Sequence, residues 1–213
     1  HAGAGCYDLE TSAAGFNRNF EDGALRLIEA AKSFVFRGPI LEYVRIQREC
    51  NSDLGSDGLL RFFVGSPVLA SRLLRPQDTA LFFETAPDAC AGLQRSLADL
   101  GRAERKQVLQ EDSYRWLRLA PDEALAGRGL VFIDPPYDSV ASYNAWNLFM
   151  LRTLHERWPD SCIALWYPCV EEEYTLSFYQ RLIDLDVGGV LKMELMIQRP
   201  NEEQLAGSGV VML

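Results

Sequence analysis

The sequence predicts an α/β protein built on a mostly parallel, doubly wound sheet, and three observations carry that expectation. Short apolar runs rich in branched and aromatic residues (80–84, 129–133, 161–167) alternate with longer amphipathic stretches (87–101, 142–158, 171–185). The runs are too short for helices, whereas the stretches repeat their apolar residues at helical spacing. Strands separated by helices pair in parallel through crossover connections. No internal repeat or low-complexity segment competes with this reading.

Taken in chain order, His1-Ala2-Gly3-Ala4-Gly5 is a glycine turn that lets the backbone approach a ligand closely, and a first strand is expected before it. Residues 20–34 show helical periodicity, and 39–50 continue as a second helix after Gly38-Pro39. Residues 51–58 read as a polar linker. Gly65-Ser66-Pro67 opens a helix through about Leu74, with Ser66 placed to cap it and Pro67 in its first turn. A strand at 80–84, a helix at 87–101, a short strand at 107–110 and a brief helix at 113–119 follow. The run Gly129 to Ile133 is expected as a buried strand. Beyond it come the helix 142–158, the strand 161–167, the helix 171–185, a strand at 189–198 and another starting at Val210. The connection between the last two strands is too short for a crossover helix, which predicts an antiparallel hairpin.

A chain of 213 residues suits one domain with a small appended subdomain. The apolar fraction of 48% and charged fraction of 24% are those of an ordinary globular protein, without a membrane span or signal peptide. The five cysteines are odd in number and lack a Cys-x-x-Cys, so reduced thiols and a cytoplasmic setting are expected, organellar if the source is eukaryotic. With two histidines, no metal site is expected. The net charge of -9 argues against a generally basic nucleic-acid coat. Local clusters remain: Arg45 with Arg48, Arg102 and Arg105 with Lys106, and Arg115 with Arg118. Each alone reads as a solvated helix face; as a set they suit phosphate contacts.

Three acids recur at one topological place: Glu84 ends one strand, Asp112 follows the next, and Asp134 ends a third. In a doubly wound sheet those points line one crevice. Acids there accept hydrogen bonds from the ribose hydroxyls and the adenine amino group of a nucleoside cofactor. The glycine turn departs from G-x-G-x-x-G, since Tyr7 precedes Asp8, and it carries no cation for phosphates. It therefore suits a cofactor without a phosphate tail, such as S-adenosylmethionine.

The most specific segment is Asp134-Pro135-Pro136-Tyr137, directly behind the apolar run. The prolines fix φ and donate no N–H, so nearby carbonyls stay free to accept. An acid acceptor, a free carbonyl and a stacking ring suit a flat base with an exocyclic amino group. That combination marks amino-group methyltransferases.

The order of motifs resembles a known family, the bacterial-type 23S (large-subunit) ribosomal RNA adenine-N6 methyltransferases of the RlmJ type. The matching pieces are His1 to Gly5 with Tyr7-Asp8-Leu9, Gly65-Ser66-Pro67, Leu73 to Asp78, Glu84 with Pro87, Asp112, and Ile133 to Tyr137. Leu165-Trp166-Tyr167-Pro168, Glu194-Leu195 and Gly207-Ser208-Gly209 complete the series. The resemblance implies a Rossmann-like S-adenosylmethionine-dependent methyltransferase domain over residues 1–213, incomplete at both ends, with a small helical insertion at roughly residues 20–60. It implies that His1, Gly3, Gly5, Ser66, Glu84, Asp112, Ser113 and Asp134 form the cofactor site, and that Asp134, Pro135 and Tyr137 act in catalysis. The acceptor would be an adenine of ribosomal RNA flipped into the site of a monomeric enzyme. This chain departs from the family pattern at Ser113, where glycine is usual, at Thr85-Ala86 and at Cys6. The alternatives are a DNA adenine-N6 methyltransferase, a protein-glutamine methyltransferase (disfavoured by Asp rather than Asn at 134), and a degenerate, non-catalytic RNA-binding paralogue. A dinucleotide oxidoreductase lacks its glycine fingerprint.

Overall fold

The computed structural model describes residues 2–11, 20–56, 60–101, 105–125, 127–135, 140–169, 172–199 and 206–213. They fall into two compact units, Ala2–Glu111 and Asp112–Leu213, each described by itself.

In the first unit, β1 (Cys6–Asp8) pairs antiparallel with β2 (Phe62–Val64), Tyr7 opposite Phe63. Between them lie a π turn at Glu21–Leu25 running into α1 (Arg26–Ala30), and α2 (Gly38–Asp53). Strands of three residues need help to persist, and α2 supplies it. Gln47, fully buried, donates from Nε2 to the Val64 carbonyl (2.8 Å) and accepts the Val64 N–H at Oε1 (3.1 Å). One turn on, Asn51 repeats the clamp on Phe62, donating to its carbonyl at 2.7 Å and accepting its N–H at 2.8 Å. Two amides at i and i+4 thus satisfy the free edge of β2 as a further strand would. This also explains why α2 runs on to Asp53 rather than yielding to a linker at 51. Next come α3 (Ser66–Leu73), β3 (Thr79–Phe83), α4 (Pro87–Leu100) and β4 (Arg105–Leu109), with β3 and β4 parallel. Ile46, Cys50, Val64, Val68, Leu93, Leu97 and Leu100 form the core of this unit.

The second unit begins with α5 (Ser113–Leu119) and a 3-10 turn at Asp122–Leu125. It continues through β5 (Gly129–Ile133), α6 (Val140–Arg157), β6 (Ser161–Cys169), α7 (Glu172–Asp184), β7 (Leu191–Met196) and β8 (Gly207–Met212). The sheet order is β5-β6-β8-β7. β5 and β6 are parallel, with Ile133 opposite Leu165, whereas β8 runs antiparallel to both β6 and β7. Among the described residues, parallel pairing is thus confined to strands joined through a helix, and the expected hairpin of the last two strands is present.

Leu148, Leu151 and Leu154 of α6 and Phe178 and Leu182 of α7 pack on Ile163, Leu165, Tyr167 and Val211 of the sheet. β5 occupies the expected residues, but it is not buried throughout: Leu130 is 68% and Phe132 49% exposed. Only Val131 and Ile133 turn toward the helices of this unit, because a strand sends successive side chains to opposite faces. Across the helix-covered face, Tyr167 and Glu194 both stand opposite Gly209. The Tyr167 hydroxyl donates to Glu194 Oε1 at 2.8 Å, and its ring passes over position 209, where a Cβ would lie 2.1 Å from Cζ. Only glycine admits that crossing.

Candidate active site

The first unit gathers four of the expected site residues. The Ala2 N–H donates to the Phe83 carbonyl at 2.9 Å, so the chain starts as a neighbour of β3. It then reverses through Gly3 (φ +66°) and Gly5 (φ +79°). The turn is held from every side. The Gly3 N–H donates to Glu84 Oε2 (2.8 Å), the Ala4 N–H to the Tyr7 hydroxyl (3.1 Å), and Ser96 Oγ to the Ala4 carbonyl (2.8 Å). The Gly5 carbonyl accepts the Gly65 N–H at 2.8 Å, which brings Ser66 beside the turn.

Glu84, only 6% exposed, also takes the Ala86 N–H on Oε1 at 2.9 Å. Each of its oxygens therefore holds one backbone N–H, at partly buried Gly3 and at exposed Ala86. Burial pushes the Tyr7 hydroxyl above its ordinary pKa. Ser66 is not the cap expected of it. Gly65 holds the N-cap position in an extended conformation, no side chain caps the helix, and Ser66 is its first, exposed residue. His1 lies outside the described residues.

The second unit carries the remaining acids. Asp112 is the N-cap of α5, where its Oδ1 accepts from the Tyr114 N–H (2.8 Å) and the Arg115 N–H (3.2 Å). Ser113 is the first residue of that helix and half-buried. Glycine there would only loosen a helix start that Asp112 already fixes. Asp134 follows β5 directly and is half-buried, with Pro135 buried behind it. Burial raises the Asp134 carboxyl above the usual carboxylate range, because the charged form loses hydration. Pro136 and Tyr137 lie outside the described residues.

Three polar residues beside these positions were given no site role from sequence. Tyr7, two residues past the glycine turn, closes it with its hydroxyl. Tyr114 donates to Asn147 Oδ1 at 2.5 Å, and Asn147 is fully buried in α6. The signal for Asn147 was a lone amide on the apolar face of a helix, which demands a partner. Among the described residues, no three His, Cys, Asp or Glu side chains gather to hold a metal ion. Nor is any helix among them long and apolar enough to cross a membrane.

The family model described as "Ribosomal RNA large subunit methyltransferase D, RlmJ" matches residues 1–213. The chain belongs to the RlmJ family. "Ribosomal RNA large subunit methyltransferase J" of Haemophilus influenzae is 29% identical over 220 residues, covering 100% of this chain and 72% of that protein. The protein of the same name from Escherichia coli K12 is 26% identical over 214 residues, with the same coverage. A crystal structure of a Legionella pneumophila protein superposes with a TM-score of 0.81 at 22% identity, over 100% of this chain and 74% of that one. That likeness supports the expected α/β fold.

Membership of the RlmJ family makes the chain a ribosomal RNA methyltransferase with S-adenosylmethionine as methyl donor. The residues suit such a cofactor. Its ribose hydroxyls, adenine amino group and ammonium are hydrogen-bond donors, and the positions in question offer carboxylates rather than cations. Asp112 Oδ2 takes part in neither capping bond, so it is an exposed acceptor at the surface. The positive-φ glycines place bare backbone at the turn.

Proposed function

We propose that the acceptor is the N6 amino group of an adenine in 23S ribosomal RNA, and that Asp134 is the catalytic acid. The observation that carries this reading is Asp134 itself. It is a half-buried carboxyl at a strand end, raised in pKa, to which no described residue donates a hydrogen bond. A half-buried strand-end carboxyl with a raised pKa is a candidate functional group.

The bound cofactor supplies an electrophilic methyl carbon on a sulfonium. The rest falls to the chain's own residues. Glu84, Asp112 and Ser66 would take the hydroxyl and amino donors of the nucleoside, the Gly3–Gly5 turn would give it room, and His1 and Ser113 would be further cofactor contacts. The adenine N6 lone pair is delocalised into the ring and is a poor nucleophile. Asp134 carboxylate and the Pro135 carbonyl would accept the two amino protons and turn the lone pair toward the methyl carbon, with Tyr137 stacked on the base. Since sulfonium charge is lost during transfer, most of the rate gain comes from positioning. The base is flipped out of its stack to reach the site. A net charge of -9 weighs against bulk duplex DNA as the acceptor. We take the enzyme to be a cytoplasmic monomer without membrane attachment, its 1–213 region one methyltransferase domain with residues 20–60 inserted.

The decisive experiment is Asp134→Ala in the full-length protein, assayed with labelled cofactor on unmodified 23S ribosomal RNA. Transfer should fall about a thousandfold, while calorimetry shows cofactor affinity within about threefold of wild type. Retained transfer overturns the assignment of Asp134, and methylation of DNA but not RNA overturns the substrate.

A further inference from the structure

The second unit carries an aromatic cluster that its core does not use. Trp146 and Phe149 of α6 are 54% and 45% exposed, and neither belongs to the apolar core of the unit. They are set edge to face, with ring centroids 6.2 Å apart at 89°. Tyr114 of α5 lies against Trp146 at 6.5 Å and 48°. Its position is not loose, because its hydroxyl is anchored on the buried Asn147. A large aromatic surface is thus held in place, in water, by a polar bond that reaches into the core. Folding alone gives no reason to leave a tryptophan and a phenylalanine side by side at the surface.

Two further facts indicate what the cluster meets. It adjoins Asp112 and Ser113 through Tyr114, which follows them on the first turn of α5. Cations also stand on the same helix. Arg115 and Arg118 are both exposed, and Arg118 is one turn from Tyr114 on the same face. Arg152, one turn beyond Phe149, is instead paired with Glu156 at 2.9 Å. Rings that offer a π face, flanked by exposed guanidinium groups in a chain of net charge -9, complement a single nucleic-acid strand: bases stack and phosphates pair.

We propose that Tyr114, Trp146 and Phe149 form a stacking platform for an unpaired base of the RNA substrate, flanking the adenine to be methylated, with Arg115 and Arg118 on the neighbouring phosphates. This rests on the reading of the chain as an RNA adenine methyltransferase, and it adds what that reading lacks: how the strand around the target is held open. A flipped base leaves its neighbours unstacked, and an aromatic platform offsets that loss.

The test is equilibrium binding of oligoadenylate single strands and the matching A·U duplex to the full-length protein, followed by tryptophan fluorescence and by filter binding. Trp146→Ala and Phe149→Ala should each weaken single-strand binding about tenfold, with Trp146→Phe restoring most of it. Wild type should bind the duplex more weakly than the single strand, and the duplex affinity should be indifferent to these changes. Replacing Arg115 and Arg118 together by Glu should reduce the salt slope of single-strand binding by about 1.4.

Unchanged single-strand affinity in both alanine variants, or equal use of the platform by duplex and single strand, overturns the proposal. So does a variant that loses S-adenosylmethionine affinity while binding RNA normally, because the rings would then belong to the cofactor. Asp134→Ala separates the two readings. If it retains methyl transfer, the catalytic assignment fails, yet the single-strand binding loss in Trp146→Ala still stands on its own.

Discussion

Glu84 and Asp134 are both carboxylates at the end of a parallel strand, yet the fold treats them in opposite ways. Glu84 is buried and already engaged on both oxygens: one holds the Gly3 N–H, the other the Ala86 N–H. Asp134 is half-buried and receives no hydrogen bond from a described residue, and burial raises its pKa. The first acid is part of the structure it stands in, fixing the glycine turn against β3. The second is maintained at a cost to the structure. Position along a strand therefore does not reveal what an acid does; what its oxygens already hold does. Asp112 is intermediate in kind, with one oxygen engaged in capping α5.

This contrast is open to direct attack, beginning with the largest effect. Asp134→Ala should remove methyl transfer while the protein stays folded, as set out above. Glu84→Ala should do the reverse of what a catalytic acid does: it removes two hydrogen bonds from backbone N–H groups to a buried carboxylate and should cost about 3 kcal/mol of stability in denaturant unfolding. Cofactor binding would fall with it, because the turn loses its anchor. A Glu84→Ala protein as stable as wild type would show that Glu84 is no brace.

Gly5→Ala comes next. The position has φ +79°, and a Cβ there would lie 2.9 Å from Leu93 Cδ1, so about 2 kcal/mol should be lost by thermal or denaturant unfolding. An unaffected Gly5→Ala protein would mean the turn is far softer than its bonds suggest.

Much of this was legible beforehand, for definite reasons. β5 and the acid behind it could be read because a five-residue apolar run followed by Asp-Pro-Pro leaves little choice of local structure. Its half exposure could not, since periodicity does not say which face of a strand has a partner. β1 and β2 were missed because strands of three residues carry no pattern of their own; they exist through one another and through Gln47 and Asn51. Ser66 had the right residue type for a cap, but Gly65 takes the N-cap conformation one residue earlier. The Gly3–Gly5 turn and Glu84 were named separately as site residues, and their bond to each other joins positions 81 apart. No local rule connects them.

The smallest expected effect cuts closest to the comparison. A carboxyl whose folded pKa is raised binds its proton more readily folded than unfolded. Its favourable contribution is therefore complete below the ordinary carboxylate pKa and is lost as pH rises through the folded value. Asp134→Asn keeps the shape and removes the titration. The variant should match wild type in acid and become the more stable of the two as pH rises through the raised pKa, while methyl transfer is lost at every pH. In wild type, if Asp134 must be ionised to accept the amino proton, the acid limb of the rate profile should lie above the range of an ordinary aspartate, for the same reason. Denaturant unfolding across pH reads the first effect and single-turnover rates read the second. A stability gain that shrinks with rising pH would mean Asp134 is held by a favourable partner, and the contrast with Glu84 would collapse.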